Sequence, residues 1–71
     1  MAHPKEAWLE EITIVYDRIR RGDRLVATEN LLIAAVKSAR RFEATWQEIA
    51  DSMGVTRQYA HKRLAKSVEG E

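Results

Sequence analysis

The chain has 71 residues, with hydrophobic types at 45% and charged types at 32%, a globular balance that excludes an intrinsically disordered chain and predicts one domain without a linker. Lys and Arg total 12 against 11 Asp and Glu, a formal charge of +1, so total charge alone does not point to a nucleic-acid partner. Cysteine is absent, which excludes disulfides and thiolate metal sites; no apolar run has the length of a signal-peptide core or a membrane span, so a reducing, cytoplasmic compartment is expected.

The spacing of Trp8, Ile12, Val15 and Ile19 predicts a helix over 5–21 with one apolar stripe, widened by Leu9 and Tyr16. Pro4 suits a first turn, Glu6, Glu10 and Glu11 the positive helix end, and Arg18, Arg20 and Arg21 the negative end before Gly22. Ile14 lies off the stripe and reads as an extra contact surface. Gly22-Asp23-Arg24 predicts a turn, with Thr28 or a neighbour capping a helix over 28–42. Its expected apolar face is Leu31, Leu32, Ala35, Val36, Ala39 and Phe42. Lys37, Arg40 and Arg41 read as a solvated basic helix end, with phosphate contact as the alternative.

Thr45-Trp46-Gln47-Glu48 is a capping-box pattern that starts a helix running to Met53, with Trp46, Ile49, Ala50 and Met53 inward. Gly54 suits the left-handed conformation that stops it. Thr56 is a good N-cap for a last helix with Ala60, Leu64 and Val68 on its buried side. The tail Glu69-Gly70-Glu71 reads as frayed. The expectation is an all-α, compact four-helix domain with a C-terminal helix-turn-helix at 45–66, the first two helices serving as support or for dimerisation.

Two short helices joined by a tight Gly turn define a helix-turn-helix, in which Val55 plugs the space between the helices. With Ala60 and Leu64 inward, the wheel turns Arg57, Gln58, His61 and Lys62 outward, with Ala65 one turn further. Arg57 and Lys62 to Lys66 fall in a window without acids. These types suit base reading: Arg pairs with guanine O6 and N7, Gln with adenine N6 and N7, and His or Lys donates to guanine or phosphate. Arg57, Gln58, His61 and Lys62 are therefore the expected base contacts. Thr45, Thr56, Tyr59, Arg63 and Lys66 are the expected phosphate contacts.

Residues 45–63, TWQEIADSMGVTRQYAHKR, resemble the helix-turn-helix segments of small bacterial DNA-binding regulators, especially actinobacterial and phage ones, and more broadly those related to sigma-factor region 4. The segment departs from the usual pattern at Met53, where Leu is common, and at Tyr59, where a small residue is common. The resemblance implies a sequence-specific binder of double-stranded DNA, a transcriptional regulator of repressor type associated with the nucleoid. A homodimer through the N-terminal helices, reading a palindromic site, is a further expectation.

Other constellations point elsewhere less well. His3 and His61 form no metal-ligand pattern, and Glu10, Glu11 and Asp17 lie on a solvated helix face without a nucleophile, so no enzyme activity, cofactor or small-molecule ligand is expected. Trp8 and Trp46 fall on inward stripes and read as core. The alternatives to a regulator are a protein-interaction adaptor and an architectural or recombination accessory protein.

Overall fold

A computed structural model of the chain describes residues 4–69. They form α1 (Pro4–Arg20), α2 (Val26–Arg41), α3 (Trp46–Met53) and α4 (Arg57–Val68), with no strand among the described residues. The expectations that concern His3, Gly70 and Glu71 lie outside the described residues. The all-α, four-helix architecture is the one the periodicity predicts.

α1 and α2 pack as a hairpin, α3 lies against α1, and α4 against α3 and α2. Ile12, Val15, Leu32, Val36, Ile49, Met53 and Leu64 meet in one core, closed by the small residues Ala35, Ala39, Ala44, Ala50 and Ala60. Each large side chain so buried contributes about 1.5–3 kcal/mol. α3 has 8 residues and α4 has 12, and helices that short are marginal alone in water, so their stability comes from this packing.

The first three helices end in the same way. The amide of Gly22 donates to Ile19 and that of Asp23 to Arg18; Glu43 donates to Arg40 and Ala44 to Ala39; Gly54 donates to Asp51 and Val55 to Ala50. This is the paired pattern that satisfies the last carbonyls of a helix when the residue beyond it turns left-handed. Gly22 and Gly54 take positive φ without a Cβ penalty, whereas Glu43 takes φ 70° with one.

Several local expectations are corrected. Thr28 does not cap α2. The N-cap position falls on Leu25, whose side chain makes no cap bond; Asp23 braces the turn before it, accepting from the Leu25 amide at 2.9 Å and the buried Thr28 hydroxyl at 2.8 Å. Leu31 and Phe42 are exposed rather than core: Leu31 is turned about 100° from Leu32 on the wheel, and Phe42 lies past the last turn. Ile33 packs against the core in their place. Leu9 and Tyr16 also pack against this chain's own core, while Ile14 stands out at 54% exposure.

Candidate nucleic-acid interface

The interface is built from the turn outward. At the start of α3 the Glu48 amide donates to Thr45 Oγ1 at 3.1 Å and the Thr45 amide donates to Glu48 Oε1 at 2.9 Å, so the capping box is closed. Lys5 Nζ adds an ion pair to Glu48 at 3.0 Å. The Thr45 amide foremost, then Lys5, hold the Glu48 carboxyl below its ordinary pKa. At the other end of α3, Gly54 sits at φ 75°, ψ 31°, the left-handed region. Val55 packs half-buried against the core. Thr56 then accepts from the Tyr59 amide at 3.1 Å and starts α4.

Ala60 and Leu64 anchor α4 at 0% and 1% exposure. That anchoring rotates Arg57, Gln58, His61 and Lys62 to the surface, where all are exposed and together line one open depression. Arg57, Gln58 and Lys62 have no side-chain partner among the described residues, and α4 carries no acidic residue. His61 is held differently: its ring meets Trp46 edge-on, centroids 5.2 Å apart at 79°. Trp46 is in turn fixed by Arg40 over its face and by its indole N–H donating to Glu69 at 3.3 Å.

The candidate phosphate contacts divide. Thr45, Thr56 and Lys66 are exposed. Tyr59 is 46% exposed and adjoins Tyr16, whose pKa is pushed up by burial first and then by Tyr59. Arg63 is drawn away from the open face: it pairs with Glu29 at 2.9 Å, lies over the Tyr16 ring at 5.7 Å, and its side chain is only 24% exposed. Ala65, expected outward, is half-buried against the core, because the wheel carries it back toward the Trp46 side of the helix.

Most other arginines are also engaged within the chain: Arg18 pairs with Asp23, Arg21 with Asp17 and Arg40 with Glu69. On the α4 face Arg57, Lys62 and Lys66 make no ion pair among the described residues, and the helix carries no acid.

Sequence reasoning missed what supports the turn. The Thr13 hydroxyl donates to the Ser52 carbonyl at 2.9 Å, and Arg20 donates to the Met53 carbonyl. Only tertiary structure brings these residues together, so no local signal reveals them. Among the described residues no group of His, Asp and Glu is arranged to hold a metal ion, and no helix is long and apolar enough to cross a membrane.

In comparison with known proteins, no family model, no curated protein and no solved structure matches the chain. The functional reading rests on the site itself.

Proposed function

We propose that this protein binds double-stranded DNA sequence-specifically, with α4 in the major groove, and acts as a transcriptional regulator of repressor type. One observation carries the reading. On α4 the side chains of Arg57, Gln58 and Lys62 are exposed together without intramolecular partners, opposite a fully buried Ala60 and Leu64. An α-helix with side chains is about 10–12 Å across and the major groove is about 12 Å wide, so the helix fits with this face toward the base edges.

In this role Arg57 donates a bidentate pair to a guanine and Gln58 engages an adenine, each good pair contributing about 1–3 kcal/mol of discrimination. Lys62 and His61 donate to guanine or to the adjoining backbone. Contact between His61 and Trp46 restricts the imidazole before DNA arrives, which lowers the ordering cost of the contact. Thr56, Lys66 and Thr45 bind phosphate oxygens and set the register. No chemistry is performed; regulation follows from occupying a site that another DNA-binding protein needs.

The test is selection of bound sites from random duplex, followed by salt titration on the winner and on mixed sequence. A selected motif is expected. If Lys62 and Lys66 each neutralise one phosphate, log K falls by about 1.8 per log unit of salt for one copy. An absence of binding to any duplex at low salt overturns the proposal in favour of an adaptor. Tight binding with strong bending and no selected motif overturns it in favour of an architectural protein.

A further inference from the structure

We propose that Arg40 and the indole N–H of Trp46 form an anion cradle for a backbone phosphate of duplex DNA, and that the Glu69 carboxylate fills this cradle until the duplex displaces it. The proposal rests on the reading of α4 as the DNA-facing helix and deepens it by adding a contact from outside that helix.

Two donors from different helices converge on one oxygen. Arg40 Nη2, on α2, donates to Glu69 Oε2 at 2.8 Å, and Trp46 Nε1, on α3, donates to the same atom at 3.3 Å. Both donors are also held by contacts that do not involve Glu69. Arg40 Nη1 donates to the Ala44 carbonyl at 2.9 Å, its guanidinium lies over the Trp46 ring at 5.4 Å, and Trp46 is buried in the core. A guanidinium and a second N–H aimed at one point suit a phosphate oxygen as well as a carboxylate oxygen.

The cradle adjoins the base-reading face. Trp46 stands between Arg40 and His61, its ring 5.4 Å from the one and 5.2 Å from the other. The two steps together are shorter than the roughly 12 Å width of the major groove. With His61 over the bases, a cation at that reach to the side meets the sugar–phosphate wall of the groove. Trp46 is also the first residue of α3, where the positive end of the helix favours an anion.

Glu69 is an exchangeable occupant. It stands just past α4 and is the first acidic residue after Asp51, so the acid-free stretch that carries the base contacts ends at the residue that fills the cradle. The side chains of Arg40 and Glu69 are 35% and 42% exposed, and an ion pair so open to water is weak. On the duplex a phosphate takes over the same donors and releases its counterion, while Glu69 turns to solvent. The carboxylate thereby holds DNA affinity below what an uncontested Arg40 would give.

The test is a double-variant cycle on a selected duplex and on mixed-sequence duplex. Glu69→Gln removes the charged competitor and is expected to raise affinity about threefold on both. Arg40→Met keeps an apolar stem over Trp46; it is expected to weaken binding to both duplexes and to remove the contribution of about 0.9 that Arg40 adds to the salt slope of about 1.8 from Lys62 and Lys66. In the Arg40→Met background, Glu69→Gln is expected to change nothing. A gain that persists without Arg40 would make Glu69 a general repulsive charge, and a slope untouched by Arg40→Met would keep the guanidinium off the backbone; either result overturns the cradle.

The indole N–H resonance of Trp46, assigned with Trp8→Phe, reads the acceptor without touching Arg40. Glu69→Gln is expected to move this peak in the free protein and to leave it unmoved on the duplex, where the carboxylate has already gone. A difference that persists on the duplex overturns the exchange. Inorganic phosphate at equal ionic strength is expected to leave the peak in place; a shift like that produced by the duplex would assign the cradle to free phosphate and overturn the backbone contact. If wild type binds no duplex at low salt, the DNA reading fails and the backbone contact with it, whereas binding without coupling between Arg40 and Glu69 sinks the cradle alone.

Discussion

Arg20 donates from its guanidinium to the Met53 carbonyl, so the last turn of α1 is tied to the last turn of α3. The carbonyls at the end of a helix lack intrahelical partners; Thr13 satisfies another of them, that of Ser52. Arg20 also lies over the Tyr16 ring at 5.4 Å. α1 thus fixes the turn from which α4 departs, and with it the angle at which the α4 face is presented.

The Arg20 contact and Gly54 are coupled. A Cβ added at Gly54 would lie 2.8 Å from Arg20 Nη2, at a φ of +75° that L residues rarely adopt. Gly54→Ala is expected to cost about 1–2 kcal/mol from backbone strain, plus displacement of the arginine. Arg20→Ala is expected to cost about 1.5–3 kcal/mol through the lost charge-assisted bond. Urea unfolding of both single variants and the double variant measures the coupling. The prediction is that Gly54→Ala costs less once Arg20 is gone; strict additivity would show that the two do not share the turn.

At Glu43 the left-handed residue that ends α2 carries a Cβ, at φ 70°. Its side chain makes no hydrogen bond or ion pair among the described residues, so only the backbone is at stake. Glu43→Gly should raise stability by about 0.5–1 kcal/mol, the left-handed penalty less the extra unfolded-state entropy of glycine. A thermal melt that does not rise would mean the strain is relieved elsewhere.

Acid sensitivity should be traceable to Asp23 and Glu48. The Leu25 amide first, then the Thr28 hydroxyl, hold Asp23 below its ordinary pKa; the Thr45 amide first, then Lys5, do the same for Glu48. Groups with a depressed folded pKa add stability that is complete above their unfolded pKa, near 4, and is lost as pH falls through the folded value. Stability is therefore expected to be level above about pH 5 and to decline below about pH 4. Asp23→Asn should lower the plateau and flatten the acid limb in urea titrations at a series of pH values. Glu48→Gln keeps a capping-box side chain, so it should remove the Lys5 ion pair while α3 stays capped. An unchanged acid limb in both variants would assign the pH dependence to other carboxylates.

Two arginines of α4 should behave oppositely. Arg57 is exposed and unpartnered, so Arg57→Ala is expected to leave the melting temperature unchanged and to cost about 1–3 kcal/mol on a selected duplex, with relaxed preference at one base position. Arg63 holds Glu29 and covers Tyr16, so Arg63→Ala is expected to lower the melting temperature and to leave base preference intact. The reverse pattern in paired melting and binding assays would exchange their assignments.

The sequence by itself determined the features that close within one helical turn. The Thr45–Glu48 box, the left-handed Gly54, the Thr56 cap and the rotation that buries Ala60 and Leu64 each depend on residues three or four positions apart, and each stands where the spacing predicts. Periodicity also names the face a helix will bury, but not its neighbours or how wide a face they cover. That is why Leu31 and Phe42 emerge into solvent, and why the buried Thr28 hydroxyl turns to Asp23 across the turn instead of capping α2. Tertiary structure alone decided which basic groups are spent. Arg20 goes to Met53, Arg63 to Glu29 and Arg40 to Glu69, all partners more than twenty-five positions away, while Arg57 and Lys62 are left open. An ion pair depends on distance in space, and for residues on different helices that distance is set only when the core brings those helices together.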